Sequence, residues 1–202
     1  LPGGTAQAVS TPVQAGGGYF TIPPGASYAL VRTLSQIVRV PLAGGAPVQV
    51  LGGLPTGFGV TSDGNVMYWV DNATGQMRRA SVDGGGVGSL GDGGLSRPEQ
   101  MVLVQNAVGL ADLGNGRVVY VDRDAGALNV YRSGLDQPAG IAVDGNSVFV
   151  TAQGAGTVLV VNGVGGPITT LASTQMPTGI AVNGRWIVWG SAGAGGVTLL
   201  AR

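Results

Sequence analysis

The side chains in this sequence that could do chemistry are few, and the candidate metal ligands among them are acidic. The 202 residues include no His and no Cys, and all ten basic residues are Arg. A Ser–His–Asp or Cys–His arrangement therefore cannot be built, and the missing Lys excludes a Ser–Lys dyad. Any metal site would have to use oxygen ligands, which leaves the metal unknown. No catalytic residue is predicted.

Two acidic stretches are the candidates for such ligands. The run DRDAG at residues 122–126 places Asp122 and Asp124 at alternate positions before a turn-forming Gly, like the opening of a calcium loop. The later ligands, above all a bidentate Glu, do not follow, and the alternative is a solvated loop in which Asp caps the turn. Glu99, the only glutamate, lies in RPEQ at residues 97–100, where a lone Glu is also compatible with ordinary surface.

Composition limits the partners. Charged residues make up 10% of the chain and the formal net charge is zero, so a basic surface for nucleic acid is not expected. No run approaches the roughly 20 apolar residues of a membrane-spanning helix, and no transmembrane segment is predicted. Surface charge keeps soluble proteins apart. The small share of charged residues therefore favours a surface that is covered by a protein partner or a larger assembly.

The elements that must position these side chains repeat along the chain. Residues 140–161 (GIAVDGNSVFVTAQGAGTVLVV) align without a gap to residues 179–200 (GIAVNGRWIVWGSAGAGGVTLL). Short apolar runs separated by turn signals such as DGN indicate an antiparallel meander, and no segment has a helical period. Further copies begin at Gly18, Gly57 and Gly109. Their uneven spacing predicts an enlarged second unit and a third unit that lacks or shortens its outer strand.

These copies predict an all-β fold, a β-propeller with five blades of antiparallel meander in a single domain over residues 1–202. The units are expected to begin near residues 12, 55, 98, 138 and 177. The fifth copy stops before its fourth strand, and the chain start, LPGGTAQAVSTP, resembles the complete ending PLAGGAPVQVLGGLP at residues 41–55. We therefore expect residues 1–11 to supply the strand that completes the last blade, which closes the ring and covers its edges.

Two repeat classes are similar to these copies. The stretch VMYWVDNATGQMRRASVDGG resembles the YWTD repeat of β-propellers, with Tyr68, Trp69 and Asp71 at three of its four signature positions. The segments PAGIAVDGN and PTGIAVNG resemble NHL-type propeller repeats. Both resemblances imply a propeller, although both classes more usually have six blades. Among the other copies, the signature Asp at position 71 is expected to recur only at Asp122. If this Asp links neighbouring blades, it would do so in only two of the five.

Lactonase-type propellers are similar to this class and place a metal-binding Glu near the inner strand of a blade. That resemblance implies a metal ligand at Glu99. The other acidic and Asn ligands of those enzymes have no clear match in this sequence.

Meander topology predicts where a ligand would bind. The second-to-third and fourth-to-first connections leave a blade on one face, and the other connections leave it on the opposite face. The first face is expected to collect the predicted ligand-binding residues around the mouth of the central channel: Arg32, Asp71, Glu99, Asp122 and Asp124. Variable loops on a rigid scaffold are where binding usually resides. Ordinary polar loops are the alternative.

We expect a non-catalytic binding or structural propeller module that engages a protein partner or an assembly, with a glycan as a second class of ligand. No cofactor is expected. The alternative is a metal-dependent propeller hydrolase or lactonase. Missing Lys and Cys, beside abundant Gly, Ala, Val and Thr, favour an exported bacterial protein, extracellular or periplasmic, and the start of the sequence resembles a mature N-terminus.

Overall fold

The computed structural model describes residues 19–193 and 195–202, which form a β-propeller of five antiparallel sheets. Blade 1 contains β1 (Phe20–Thr21), β2 (Tyr28–Arg32), β3 (Ile37–Pro41) and β4 (Val48–Leu51). Blade 2 contains β5 (Val60–Ser62), β6 (Val66–Asp71), β7 (Gln76–Ser81) and β8 (Gly88–Leu90). Blade 3 contains β9 (Pro98–Val104), β10 (Ala107–Asp112), a 3-10 turn (Leu113–Asn115), β11 (Arg117–Asp122) and β12 (Leu128–Ser133). Blade 4 contains β13 (Pro138–Asp144), β14 (Ser147–Ala152), β15 (Thr157–Asn162) and β16 (Ile168–Ser173), and blade 5 contains β17 (Pro177–Val182), β18 (Trp186–Ser191) and β19 (Gly196–Ala201).

Within each blade the strands pair in chain order, as a meander does. The first strands lie innermost: β9 contacts β5 and β13, β5 contacts β1, and β13 contacts β17 around the central channel. We call the face where the first strands begin the upper face; it carries the second-to-third turns and the fourth-to-first connections. The lower face carries the first-to-second and third-to-fourth turns. None of the described residues forms a helix long and apolar enough to cross a membrane.

The core lies between neighbouring blades because side chains alternate along each strand. In β6, Met67 and Trp69 belong to the cluster shared with blade 1, and both are at most 1% exposed. Tyr68 and Val70, the residues between and after them, belong to the cluster shared with blade 3. One strand therefore supplies two interfaces, and the aromatic residues of the YWTD-like stretch are packing residues.

Arginines also link the blades. Their planar guanidinium groups reach acidic or carbonyl oxygens on the next blade and stack on aromatic rings, which Lys does less well. Arg39, for example, lies 4.4 Å above the ring of Tyr28 and bonds Asp83 of blade 2 at 2.8 Å. Such links include Arg39–Asp83, Arg123–Asp63, Arg132 to the Gly165 carbonyl and Arg202–Asp144.

The predicted fold class is confirmed, but the predicted irregularity of the second and third units is wrong. Blades 2 and 3 each have four strands. Gly109 lies in the second strand, β10, and the run PEQMVLV forms the first strand, β9. The alignment of the copies failed in blade 3 because β9 carries Gln100 where blades 2, 4 and 5 carry glycine, just before β5 in blade 2 and within β13 and β17 in blades 4 and 5. The expected closing strand, residues 1–11, lies outside the described residues, and the unit boundaries stay a prediction.

Candidate functional site

The structure separates the five predicted site residues between the two faces. Arg32, Asp71 and Glu99 lie on the upper face, at the ends of β2 and β6 and the start of β9. Asp122 and Asp124 lie on the lower face, so their predicted place at the same channel mouth is wrong. The reason is that β11 is the third strand of its blade, and the turn after a third strand leaves on the lower face.

The aspartates stabilise turns. Asp71 Oδ1 accepts the backbone N–H two residues further along the chain at 2.9 Å. Asp122 Oδ1 accepts the N–H of Asp124 at 2.9 Å, and Asp124 Oδ2 accepts the side-chain amide of Asn106 at 2.8 Å. The bonds that Asp71 and Asp122 accept from backbone N–H groups are the turn-capping bonds that short acidic side chains make with nearby backbone. The DRDAG stretch therefore forms a capped turn.

The carboxylate equivalent to Asp71 in blade 3 is Asp112 rather than Asp122. Asp112 ends β10, is fully buried, and accepts hydrogen bonds from Ser96 N–H at 2.7 Å and from Arg117 Nε at 2.8 Å. It therefore ties the connection between blades 2 and 3 to its own blade. The sequence comparison missed it because it assigned β10 to the wrong place in the repeat.

Arg32 is fully buried between blades 1 and 2. Its guanidinium donates through Nη2 to the Pro55 carbonyl and through Nη1 to the Gln36 carbonyl, the latter at 3.4 Å. Burial lowers the pKa of Arg32 to about 10, against the opposing charge of Asp71, so the group is protonated at neutral pH. With no exposed surface, Arg32 joins two blades and offers no contact to a ligand.

Glu99 lies at the channel mouth. The Tyr19 hydroxyl donates to Glu99 Oε2 at 3.1 Å, and since blades 1 and 3 are not neighbours, this bond crosses the mouth of the channel. Burial raises the pKa of Glu99 above its usual range, while the bond from Tyr19 opposes that change. Burial also raises the pKa of Tyr19, and the negative charge of Glu99 adds to that increase.

Below this bond, Gln100 spans the channel. Its Nε2 donates to the Ile180 carbonyl at 2.8 Å, and its Oε1 accepts the N–H groups of Ile180 at 2.9 Å and Ile141 at 3.3 Å. These backbone groups lie on the inner edges of β13 and β17, which no neighbouring strand covers, and Gln100 satisfies them. A Cβ on Gly140 would lie 2.5 Å from the Thr178 carbonyl oxygen, 2.6 Å from Thr151 Oγ1 and 3.0 Å from Gln100 Oε1, so only glycine fits at this crowded position.

A cavity of about 240 Å³ lies in the channel below Gln100, lined by Met101 and by Val and Ala side chains of β13 and β17. It contains no acidic side chain. Elsewhere, too, residues 19–193 and 195–202 bring no three His, Cys, Asp or Glu side chains together as metal ligands. Glu99 therefore has no partner carboxylates in the described part of the chain with which to hold a divalent cation.

A different site opens on the upper face between blades 4 and 5. This cleft, which we call the 4–5 cleft, has a volume of about 670 Å³. Its walls are the turn after β14, the connection from β16 to β17, and Gly193 in the turn after β18. Among the described lining residues there is no charged and no aromatic side chain; those with functional groups are Gln153, Ser173, Thr174, Gln175 and Met176. Met176, on the rim, is 50% exposed.

The 4–5 cleft exists because one buried leucine of the repeat is replaced. In blades 2 and 3, Leu95 and Leu135 follow the fourth strand and donate their N–H groups to the second-to-third turns at 3.1 and 2.9 Å. Both side chains then pack between blades, at 7% and 6% exposure. Thr174 makes the same backbone bond in blade 4, at 2.8 Å to Gly156, but its shorter side chain fills less space.

The residue facing this position changes as well. Leu135 and Ala152 belong to one apolar cluster between blades 3 and 4. At the matching positions between blades 4 and 5, Thr174 Oγ1 and Ser191 Oγ form a hydrogen bond of 2.9 Å, and Ser191 is only 5% exposed. A leucine–alanine pair has thus become a threonine–serine pair, which gives the 4–5 cleft a polar floor.

Sequence reasoning did not identify the 4–5 cleft. The sequence does carry a sign of the cleft. When the connections are aligned at Pro138 and Pro177, Thr174 occupies the position that Leu135 has in the preceding unit. This sign is the loss of an apolar residue rather than the presence of a motif.

Comparison with protein-family models and with curated proteins finds no match to this sequence. Solved structures do match. A chain of a nidogen/laminin complex superposes with a TM-score of 0.76 at 19% identity, covering 86% of this chain and 70% of that one. The virginiamycin B lyase of Staphylococcus aureus gives 0.62 at 16% identity, covering 90% and 68%. A catalytically inactive histidine-to-alanine variant of that lyase with quinupristin gives 0.70 at 17% identity, covering 90% and 65%. At these identities the matches confirm the propeller fold.

Proposed function

We propose that this chain is a non-catalytic propeller module that binds a protein partner through the 4–5 cleft. The observation that carries the proposal is the 4–5 cleft itself, an open space of about 670 Å³ whose accessible side chains are neutral hydrogen-bonding groups. Its volume lies within the range of ligand-binding sites, roughly 300–1,000 Å³. Its walls are turns held between paired strands, which is the arrangement in which loops of a rigid scaffold bind partners.

The enzymatic alternative has less support. A hydrolase or lactonase with a divalent metal needs several oxygen ligands, and Glu99 is bonded to Tyr19 without another carboxylate beside it among the described residues. The lyase that shares the fold has a catalytically inactive variant in which a histidine is replaced by alanine. This chain contains no His, so that chemistry does not transfer to it.

Two further observations support a protein partner. One of the structural neighbours belongs to a complex between two proteins, nidogen and laminin. Only 10% of this chain is charged, which favours a partly covered surface. We extend the proposal to an exported protein, extracellular or periplasmic, for which the support is the composition.

The test is a ligand screen with a matched variant. The 202-residue chain is screened against random dodecapeptides displayed on phage and against a glycan array. The same screen is run on Thr174→Leu/Ser191→Ala, which restores the apolar pair found between blades 3 and 4. We expect ligands that bind the wild-type chain and are lost from the variant, whose thermal unfolding shows that it is folded. Ligands that bind both proteins equally, or no ligand from either library, would contradict the proposal.

A further inference from the structure

We infer that the 4–5 cleft takes an uncharged polypeptide segment and holds its main chain through the side-chain amides of Gln153 and Gln175. This inference rests on the proposed function and names the ligand class for the same cleft. It differs from the sequence-based expectation, which placed the ligand on charged residues around the channel mouth.

The chemistry of the walls excludes several other ligands. Among the described lining residues there is no Arg to pair with a phosphate or carboxylate and no acid to hold a cation. There is also no aromatic ring, the side chain on which a base or another flat ligand would stack. What remains is a ligand that is recognised by neutral hydrogen bonds, and the polypeptide main chain is the most regular ligand of that kind.

Glutamine amides fit the main chain because both are amides. A Gln side chain offers one carbonyl acceptor and two N–H donors in a plane, which complements a backbone C=O and N–H. Gln153 is half-buried in the turn after β14, and Gln175 is exposed in the connection before β17, so the two amides line different walls of the 4–5 cleft. A segment lying between them meets a donor and an acceptor on each side.

The same chain already contains such a contact. The Gln100 amide donates to the Ile180 carbonyl at 2.8 Å and accepts the N–H of that residue at 2.9 Å. A single Gln side chain therefore pairs with both backbone groups of one residue on an uncovered strand edge. Gln153 and Gln175 have the chemistry to do the same for a strand that comes from outside the molecule.

Glycines let the walls of the 4–5 cleft pack closely against neighbouring side chains. A Cβ on Gly193 would lie 2.9 Å from the Gln175 Cβ, so this glycine allows the turn after β18 to approach Gln175. A Cβ on Gly154 would collide with the Asp136 carboxylate, so the space beside this glycine is filled by a side chain of the same protein. Met176 lies on the rim, and its flexible thioether suits apolar side chains of varied shape. We therefore expect Gln153 and Gln175 to recognise the main chain of the ligand, and Met176 to accept apolar side chains of varied shape.

The experiment uses a dodecapeptide selected on the wild-type chain, labelled and measured by fluorescence anisotropy. Gln153→Ala and Gln175→Ala are each expected to weaken binding by about tenfold, the loss of one or two neutral hydrogen bonds. Gln49→Ala is the matched control, because Gln49 is an exposed glutamine on the outer strand of blade 1. It should leave the affinity unchanged. Methylating single main-chain nitrogens of the peptide should reduce affinity by a similar factor at one or two positions.

The outcomes separate this inference from the proposed function. If the methyl scan and both glutamine variants leave affinity unchanged while Thr174→Leu/Ser191→Ala abolishes binding, main-chain recognition is wrong and the cleft is still the binding site. Selective binding of a glycan instead of any peptide overturns the inference and the protein partner of the proposed function, and leaves only the cleft as a binding site. Failure of the wild-type chain to bind any peptide or glycan overturns both.

Discussion

Restoring the apolar pair in the 4–5 cleft should stabilise the protein, and the energy can be worked from the structure. Thr174→Leu with Ser191→Ala reproduces Leu135 and Ala152 of the neighbouring interface. Burying a leucine side chain contributes about 1.5–3 kcal/mol. The double variant loses up to about 0.8 kcal/mol from the partly buried methyl group of Thr174 and about 1 kcal/mol from the hydroxyl–hydroxyl bond. These contributions add to a net change between about −0.3 and +1.2 kcal/mol, with a midpoint of about +0.5 kcal/mol, or roughly 1–2 °C in Tm for a chain of this size.

The single substitution should behave differently. Thr174→Leu alone leaves the Ser191 hydroxyl, which is 5% exposed, without its partner. An unsatisfied buried hydroxyl costs about 1–3 kcal/mol, so this variant should be less stable than wild type. The two substitutions should therefore be coupled by about 1–3 kcal/mol, which is in the range found for contacting residues.

The assay is urea unfolding of the wild-type chain, both single variants and the double variant, followed by tryptophan fluorescence. Trp189 is buried between blades 4 and 5 and reports on this interface. Leu135→Thr is the reverse control and should cost about 2–4 kcal/mol, as other large-to-small core substitutions do. A double variant whose stability falls clearly below the lower limit of the expected net change, or a coupling energy near zero, would refute the explanation of the cleft.

Three further predictions follow. Gln100→Gly gives blade 3 the residue of blades 2, 4 and 5, and should cost about 2 kcal/mol in urea unfolding, because water in the channel replaces only part of the three lost hydrogen bonds. The Glu99 carboxyl has a raised pKa in the folded chain, so wild-type stability should fall as pH rises above 4.5 through that higher pKa, whereas Glu99→Gln should lack this loss. The stability difference between variant and wild type should then grow from pH 4 to 7. Deleting residues 1–11 should lower Tm and promote aggregation, because in the described part of the chain β19 has no partner on its outer edge.

Each of these three has an outcome that would contradict it. Unchanged stability of Gln100→Gly would mean that water fully replaces the amide. A stability difference for Glu99→Gln that is constant with pH would mean that burial does not disfavour the ionised carboxylate. A monomeric truncated chain with wild-type Tm would show that residues 1–11 do not complete the last blade.

The fold was accessible from the sequence because it depends on repetition. Period-two apolar runs and tight-turn residues recur in each copy, and each blade must bury both sides of its strands against its neighbours. Blade 3 was the exception, because Gln100 replaces the glycine that marks the first strand in three other blades. Gln100, which bonds the channel edges of β13 and β17, therefore stands in place of the glycine that would have identified β9 as a first strand.

The candidate site was much harder to predict from the sequence than the fold. The sequence analysis selected Arg32 and Asp122 because they are charged. In the structure Arg32 is fully buried and Asp122 caps a turn, so neither is free to bind a ligand. The 4–5 cleft arises from a missing leucine, and a missing apolar side chain has meaning only once the register of the blades is known. Its polar floor also depends on Ser191, which faces Thr174 only in the folded chain.

The most direct test of the central claim is to map a bound peptide by NMR, following the backbone amide shifts of the isotope-labelled chain as a selected dodecapeptide is added. Binding in the 4–5 cleft predicts shift changes concentrated at residues 153–156 and 173–176 and at Gly193. Changes concentrated instead around Glu99 at the channel mouth, or at the turns of the lower face, would contradict it.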